Sequence, residues 1–168
     1  MKRHILWLFI VVGTALLQTM WPDFLTVRGV APDLVLLLVV YFGLVDGEER
    51  AMLTGVVGGM YQDVASGAVL GHHVLCLVLV GYTIGRVSTR LMTDHPAIRV
   101  LLVLFAGAAH GALYTAVTYV QRPDIATVYT IAVIVIPTAF YTALLTPVVY
   151  FVLERLFRKP DSLSGGKK

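Results

Sequence analysis

The sequence predicts an all-α polytopic membrane protein: six transmembrane helices, with the N- and C-termini both in the cytoplasm. Three observations predict it. The first is composition: 58% of the residues are hydrophobic and 14% are charged, against about 45–50% and 25% in a soluble domain. Too little charge is present to cover the surface, so part of that surface must face lipid. The second is a series of apolar runs at about 5–22, 32–45, 51–65, 68–85, 97–120 and 129–153. The third is the placement of the 13 Lys and Arg. With the N-terminus inside, only Arg28 and Arg122 fall on the outer side, a strong positive-inside bias. The net charge of +3 and pI near 9.1 therefore point to a membrane orientation rather than to a nucleic-acid surface.

Taken in order, the first run follows Met-Lys-Arg-His and ends at Met20. Basic residues before an apolar run also describe a signal peptide, but no small-x-small cleavage site follows Met20, so this segment is expected to stay as the first span. The second and third runs are short for a bilayer that takes about 20 helical residues to cross. Their joining loop is Asp46-Gly47-Glu48-Glu49-Arg50. A re-entrant hairpin would bury those charges at about 2.5–3.5 kcal/mol each, so two short spans with local bilayer thinning are preferred. The fourth, fifth and sixth runs are long enough. Pro137 and Pro147 interrupt the sixth and are expected to kink it, with Thr138, Thr142 and Thr146 placed to rebond freed carbonyls. Asp23, Asp33, Asp63 and Asp124 fall at the outer side, with Trp21, Tyr61, Tyr119 and Tyr129 as an aromatic belt. The domain division is one transmembrane domain, 1–153, and a basic cytoplasmic tail, 154–168, expected to be disordered.

Gly55, Gly59, Asp63, Gly67 and Gly71 recur at every fourth position. On a helix such residues share a face, and Gly55-x-x-x-Gly59 makes a flat strip that a second helix can approach closely. Gly43/Gly47, Gly81/Gly85 and Gly107/Gly111 repeat the spacing. The face drifts by about 40° per step, and Ala65-Ser66-Gly67-Ala68 has the composition of a turn, which sets Asp63 at the outer end of the third helix. A carboxylate at a helix C-terminus opposes the dipole, so another group must compensate it. Arg28, Arg122, His72 and His73 are the candidates. Asp63 is expected to hold the turn, bond loop N–H groups or meet a partner.

Two stretches carry a family resemblance. Ala31-Pro32-Asp33-Leu34 opening an apolar run, and GVVGGMYQDVASGAVLGHHVLCLVLVGYTIGRV from Gly55 to Val87, resemble MreD, the bacterial rod-shape-determining membrane proteins. The resemblance implies a multi-pass protein of the cytoplasmic membrane acting in the elongation complex that builds lateral peptidoglycan. It also implies an MreC-like partner and, through it, the RodA glycosyltransferase, a class B penicillin-binding protein and MreB filaments. It implies a fold similar to the substrate-binding membrane subunits of energy-coupling-factor vitamin transporters. Partner binding is then expected at Gly55, Gly59 and Asp63, with Pro32, Asp33, Gly67 and Gly71. A vitamin-type transporter subunit is the alternative function.

Other residues point to packing. His72 and His73 project about 100° apart on a helix, which argues against a shared site, and His110 is expected to bond across a helix interface. Cys76 stands alone in an apolar run and is expected to be a packing residue. Arg86 and Arg90 share a face suited to water or lipid headgroups. Glu48-Glu49 falls in a predicted loop without the helical His set of a metalloprotease. With no loop much longer than a dozen residues and no nucleophile elbow, P-loop or dinucleotide motif, the chain is expected to be no enzyme, with no cofactor and no metal site.

Overall fold

The computed structural model describes residues 2–22, 26, 29–67, 69–89, 95–121 and 131–157. Asp23, Arg28, Ala68, Arg90, Arg122, Asp124, Tyr129 and the tail from Arg158 to Lys168 lie outside the described residues. The described chain is all-helical, with six α-helices: α1 (Lys2–Thr19), α2 (Leu34–Val45), α3 (Glu48–Ser66), α4 (His72–Ser88), α5 (Pro96–Gln121) and α6 (Ile136–Phe157). A π-helical turn, Ile131–Val135, leads into α6.

The bundle is organised around α2. Its sequence, Leu34 to Val45, has no polar face, and a helix apolar all round belongs inside. Every residue from Leu34 to Gly43 is buried, with α1, α3, α4, α5 and α6 all packed against it. At 12 residues it rises only about 18 Å. Protein surrounds it, so its length is matched to its neighbours rather than to lipid. The outer helices are turned the other way. Phe9, Leu17, Phe105, Phe140, Leu144, Val148 and Phe151 are exposed, and large apolar side chains spread over several outward faces mark a surface made for an apolar solvent. The helices Pro96–Gln121 and Val133–Phe157 are long and apolar enough to cross a membrane; His4–Thr19, Leu34–Val45 and His72–Ser88 are shorter apolar helices.

The end of the bundle that carries the α2–α3 loop is closed by aromatic rings. Tyr41 meets Tyr150 edge-on at 5.0 Å, and Phe42 meets Phe157 edge-on at 5.5 Å, arrangements worth about 0.5–1.5 kcal/mol beyond area burial. Trp7 Nε1–H donates to Thr54 Oγ1 at 3.0 Å, and the Arg50 guanidinium lies over the Trp7 ring. Arg50 therefore keeps its charge on an aromatic face while anchoring α3 to α1.

Three boundaries differ from the sequence reading. Glu48 and Glu49 lie in the first turn of α3, not in a loop, because acidic side chains complement the positive end of a helix. Helix α6 runs to Phe157, beyond the Leu153 boundary, because Tyr150, Leu153 and Phe157 still pack on the aromatic cluster. Pro137 follows the π turn at the start of α6, where a missing N–H costs little, and Pro147 alone is interior. The hydroxyls of Thr142 and Thr146 bond the carbonyls of Thr138 and Thr142, so the carbonyl of Ala143 that Pro147 leaves free is not their acceptor.

Candidate functional site

Two carboxylates at the end of the bundle opposite the aromatic cluster hold the ends of two helices. Asp63, in the last turn of α3, is 1% exposed. Its oxygens accept the backbone N–H groups of Gly71 at 2.8 Å and His73 at 2.8 Å, a longer bond from Val74 at 3.5 Å, and the His73 Nδ1–H at 2.9 Å. The N-cap position of α4 is Gly71, with φ of +95° and no side chain to cap with. The orphan N–H groups that begin any helix are therefore satisfied by an acid from the preceding helix. This answers what compensates Asp63 at the negative end of α3: the positive end of α4 faces it, and His73, one of the expected candidates, adds a side-chain bond.

Asp33 is the N-cap of α2. Its Oδ1 accepts Leu36 N–H at 3.0 Å, Gln62 Nε2–H at 3.1 Å and Gln18 Nε2–H at 3.4 Å. Its own N–H donates to Thr142 Oγ1 at 2.9 Å, and His110 Nδ1 lies 3.5 Å from Oδ2. Gln18 Oε1 in turn accepts Val35 N–H at 3.0 Å. Side chains of α1, α3, α5 and α6 thus converge on the first turn of the central helix. Pro32 is buried beside the cap, where its fixed φ leads the chain into Asp33.

Histidines join the two caps. His72 stacks on Tyr114 at 4.2 Å and 11°, with its Nε2 3.2 Å from the Tyr114 carbonyl. His73 also lies against Tyr114, at 4.6 Å, and 6.2 Å from the His110 ring. Both members of the His72–His73 pair therefore share one aromatic neighbour despite their divergent directions, while only His73 reaches Asp63. Among the described residues no group of three or more His, Cys, Asp or Glu has the arrangement of a metal site. Beside the caps, Ala15, Gln18, Thr19, Tyr61, Gln62, Ala65, Ser66 and His73 line a cavity of about 250 Å³.

The glycines divide into two kinds. A Cβ on Gly55 would lie 3.0 Å from the backbone of Leu77, and one on Gly59 would lie 2.7 Å from Val74 Cα. The flat strip is real, but α4 of the same chain fills it, so a partner's helix finds no room on that face. Gly67 and Gly71, with φ of +63° and +95°, shape the α3–α4 turn, a conformation that side chains with a Cβ resist. Gly107 and Gly111 face Ala139 and Val135 of the following segment, as plain helix packing.

The family model for the rod shape-determining protein MreD matches residues 1–160. The chain belongs to the MreD family. Both motif regions in this MreD chain, the Asp33 cap and the Asp63 clasp, lie inside the match. Membership implies a rod-shape-determining membrane protein, and MreD proteins are structural determinants of cell shape. No curated protein and no solved structure matches the chain. Sequence reasoning missed Gln18, Gln62, Thr142 and Tyr114 as parts of this MreD polar end. The signal for the glutamines was present, since an amide inside an apolar run needs partners.

Proposed function

We propose that this chain is a non-enzymatic scaffold of the cell-elongation complex. It crosses the bacterial cytoplasmic membrane six times, with both ends inside, and binds an MreC-like protein. Through that partner it supports lateral peptidoglycan synthesis by a RodA glycosyltransferase and a class B penicillin-binding protein, in register with MreB filaments. The observation that carries this reading is the family match over residues 1–160. Two structural features support it. The buried acids Asp33 and Asp63 are both taken up in helix caps, which suits a rigid support. The α3–α4 turn presents Val64, Val69 and Leu70, all strongly exposed. The expected partner residues Pro32, Asp33, Gly55, Gly59, Asp63, Gly67 and Gly71 then act by shaping this end, and the apolar turn between Gly67 and Gly71 makes the contact.

Co-purification with the MreC-like protein in mild detergent tests the reading. Leu70→Ser is expected to lower the amount of partner retained about tenfold, equivalent to about 1.4 kcal/mol, while the variant elutes as the folded wild type does. Undiminished retention would remove the turn as the docking surface. Failure of the wild-type chain to retain the partner would remove the scaffold reading.

The vitamin-transporter alternative draws on the cavity beside Gln62. At about 250 Å³ it is below the roughly 300–1,000 Å³ of drug-sized sites, which favours the scaffold. A stoichiometric vitamin in mass spectra of the extracted protein would reverse that ranking.

A further inference from the structure

We propose that the seam between α1 and α6 holds one acyl chain of an anionic phospholipid, at a site separate from the partner contact proposed above. Among the described residues the outer helices pack in sequence around α2: α1 on α3, α3 on α4, α4 on α5 and α5 on α6. The ring is left open between α6 and α1. A furrow of about 330 Å³ runs there from Leu34, in the first turn of α2, to Leu156, in the last turn of α6. Three helix faces build it. Ile10, Gly13 and Leu17 recur at helical spacing on α1 and form one wall. Val152 and Leu156, four apart on α6, form the other. Leu34 and Leu38, four apart on the central helix, form the floor. No charged residue lines the furrow, and Thr14 brings the one hydroxyl among the lining residues.

Width decides the occupant. Leu34 and Leu38 on the floor are 5% and 1% exposed, while Leu17, Val152 and Leu156 on the rims are about half exposed. A helix is about 10–12 Å across with its side chains, so it would rest on the rims and leave the floor without partner atoms, which forfeits dispersion contacts. A hydrocarbon chain one methylene wide enters between the walls. Gly13 keeps the entry open, since a Cβ there would meet nothing within 4 Å. Along α6 the furrow follows Val148 to Leu156, about 12 Å, close to one leaflet of a roughly 30 Å hydrocarbon core. Charge places the headgroup. Arg155 is exposed in the turn that carries Leu156, and Lys2 and Arg3 begin α1 at the same end, where Trp7 and Leu153 share one apolar cluster. Glu154 and Glu48 at this end are paired with Arg99 and Arg86. Past Phe157 the sequence continues with Arg158 and Lys159, too polar to fill an apolar furrow but matched to a lipid phosphate. The opposite end holds the buried acids Asp33 and Asp63.

The test uses the full chain in a mild non-ionic detergent, titrated with phosphatidylglycerol or with phosphatidylcholine of the same acyl chains and read by native mass spectrometry and thermal unfolding. Phosphatidylglycerol is expected to be retained at one per chain and to raise the melting temperature by about 3 °C or more at saturation. Phosphatidylcholine is expected to bind about tenfold more weakly, and glycerol phosphate, which has the anion without the chains, to give no response. Gly13→Leu fills the seam and is expected to lower phosphatidylglycerol affinity about tenfold. Arg155→Gln is expected to narrow the preference over phosphatidylcholine about fivefold. Phosphatidylglycerol carrying a mid-chain diazirine gives a reading on the unaltered chain that does not depend on the folding of a variant. Its crosslinks are expected within residues 10–17 and 148–156, and crosslinks spread over outer faces such as Phe105 and Phe140 would overturn the proposal. So would equal retention of the two lipids, a full response to glycerol phosphate, or unchanged affinity in a folded Gly13→Leu protein. A second copy of the chain, or another protein, held by the wild type and lost in Gly13→Leu would assign the seam to a helix and overturn it as well.

Discussion

Asp63→Ala is expected to lower stability by about 3 kcal/mol, because hydrogen bonds to a charged acceptor contribute about 1.5–3 kcal/mol and a lost helix cap costs up to about 2. The acid holds the N–H groups of Gly71 and His73 and the His73 ring. No other side chain caps α4, so truncation leaves buried donors with nothing to replace the carboxylate. In detergent this corresponds to a fall in melting temperature of roughly 6–12 °C. Asp63→Asn keeps one good acceptor and is expected to lose about half as much. Thermal unfolding of the purified variants measures both. Equal stability of Asp63→Ala and wild type would show that the clasp contributes nothing.

Gly59→Leu is expected to prevent folding, and Gly59→Ala to cost about 3 kcal/mol, the upper end for overpacking. The atoms a new Cβ would meet are the Cα and N of Val74 and the carbonyl carbon of His73. These are backbone, so no rotamer change relieves the contact. Helix α4 must move instead, and the part that moves is the part Asp63 holds, so the strain is passed to the clasp. Gly13→Ala provides the contrast. A Cβ there meets nothing within 4 Å, so the substitution is expected to be neutral or to gain up to about 1 kcal/mol from helix propensity. Melting temperatures of Gly59→Ala and Gly13→Ala separate packing from propensity. A Gly59→Ala protein as stable as Gly13→Ala would contradict the close approach of α3 and α4.

These effects show what the letters carried and what they did not. The apolar runs placed the helices because burial or lipid contact demands continuous hydrophobicity; that the second run is the central helix, surrounded by protein, was not read, because a span facing lipid is just as apolar. The acid at the end of α3 was legible as a problem, since it opposes a helix dipole. Its main solution was not, because the donors are backbone N–H groups that every residue has. His73 was legible as one candidate among four. The strip Gly55–Gly59 announced a close helix contact, but spacing alone does not say whether the other helix belongs to the same chain, and here it does. Asp33 after Pro32 and before an apolar run carries the sequence signature of an N-cap. Its contacts with Gln62, Thr142 and His110 depend on how α3, α5 and α6 pack, which no local pattern encodes. The π turn before α6 had no signal beyond the proline that follows it.

The proposed scaffold requires one arrangement: a lipid-embedded bundle with the Asp63 clasp on the outer face and the α2–α3 loop in the cytoplasm. Single cysteines at Val69, in the α3–α4 turn, and at Thr89, after α4, test it in a Cys76→Ala background. The account predicts that a membrane-impermeant thiol reagent labels Val69→Cys in intact cells, and labels Thr89→Cys only after the membrane is opened. Labelling of Thr89→Cys but not Val69→Cys in intact cells, or no dependence of either on an intact membrane, would contradict it.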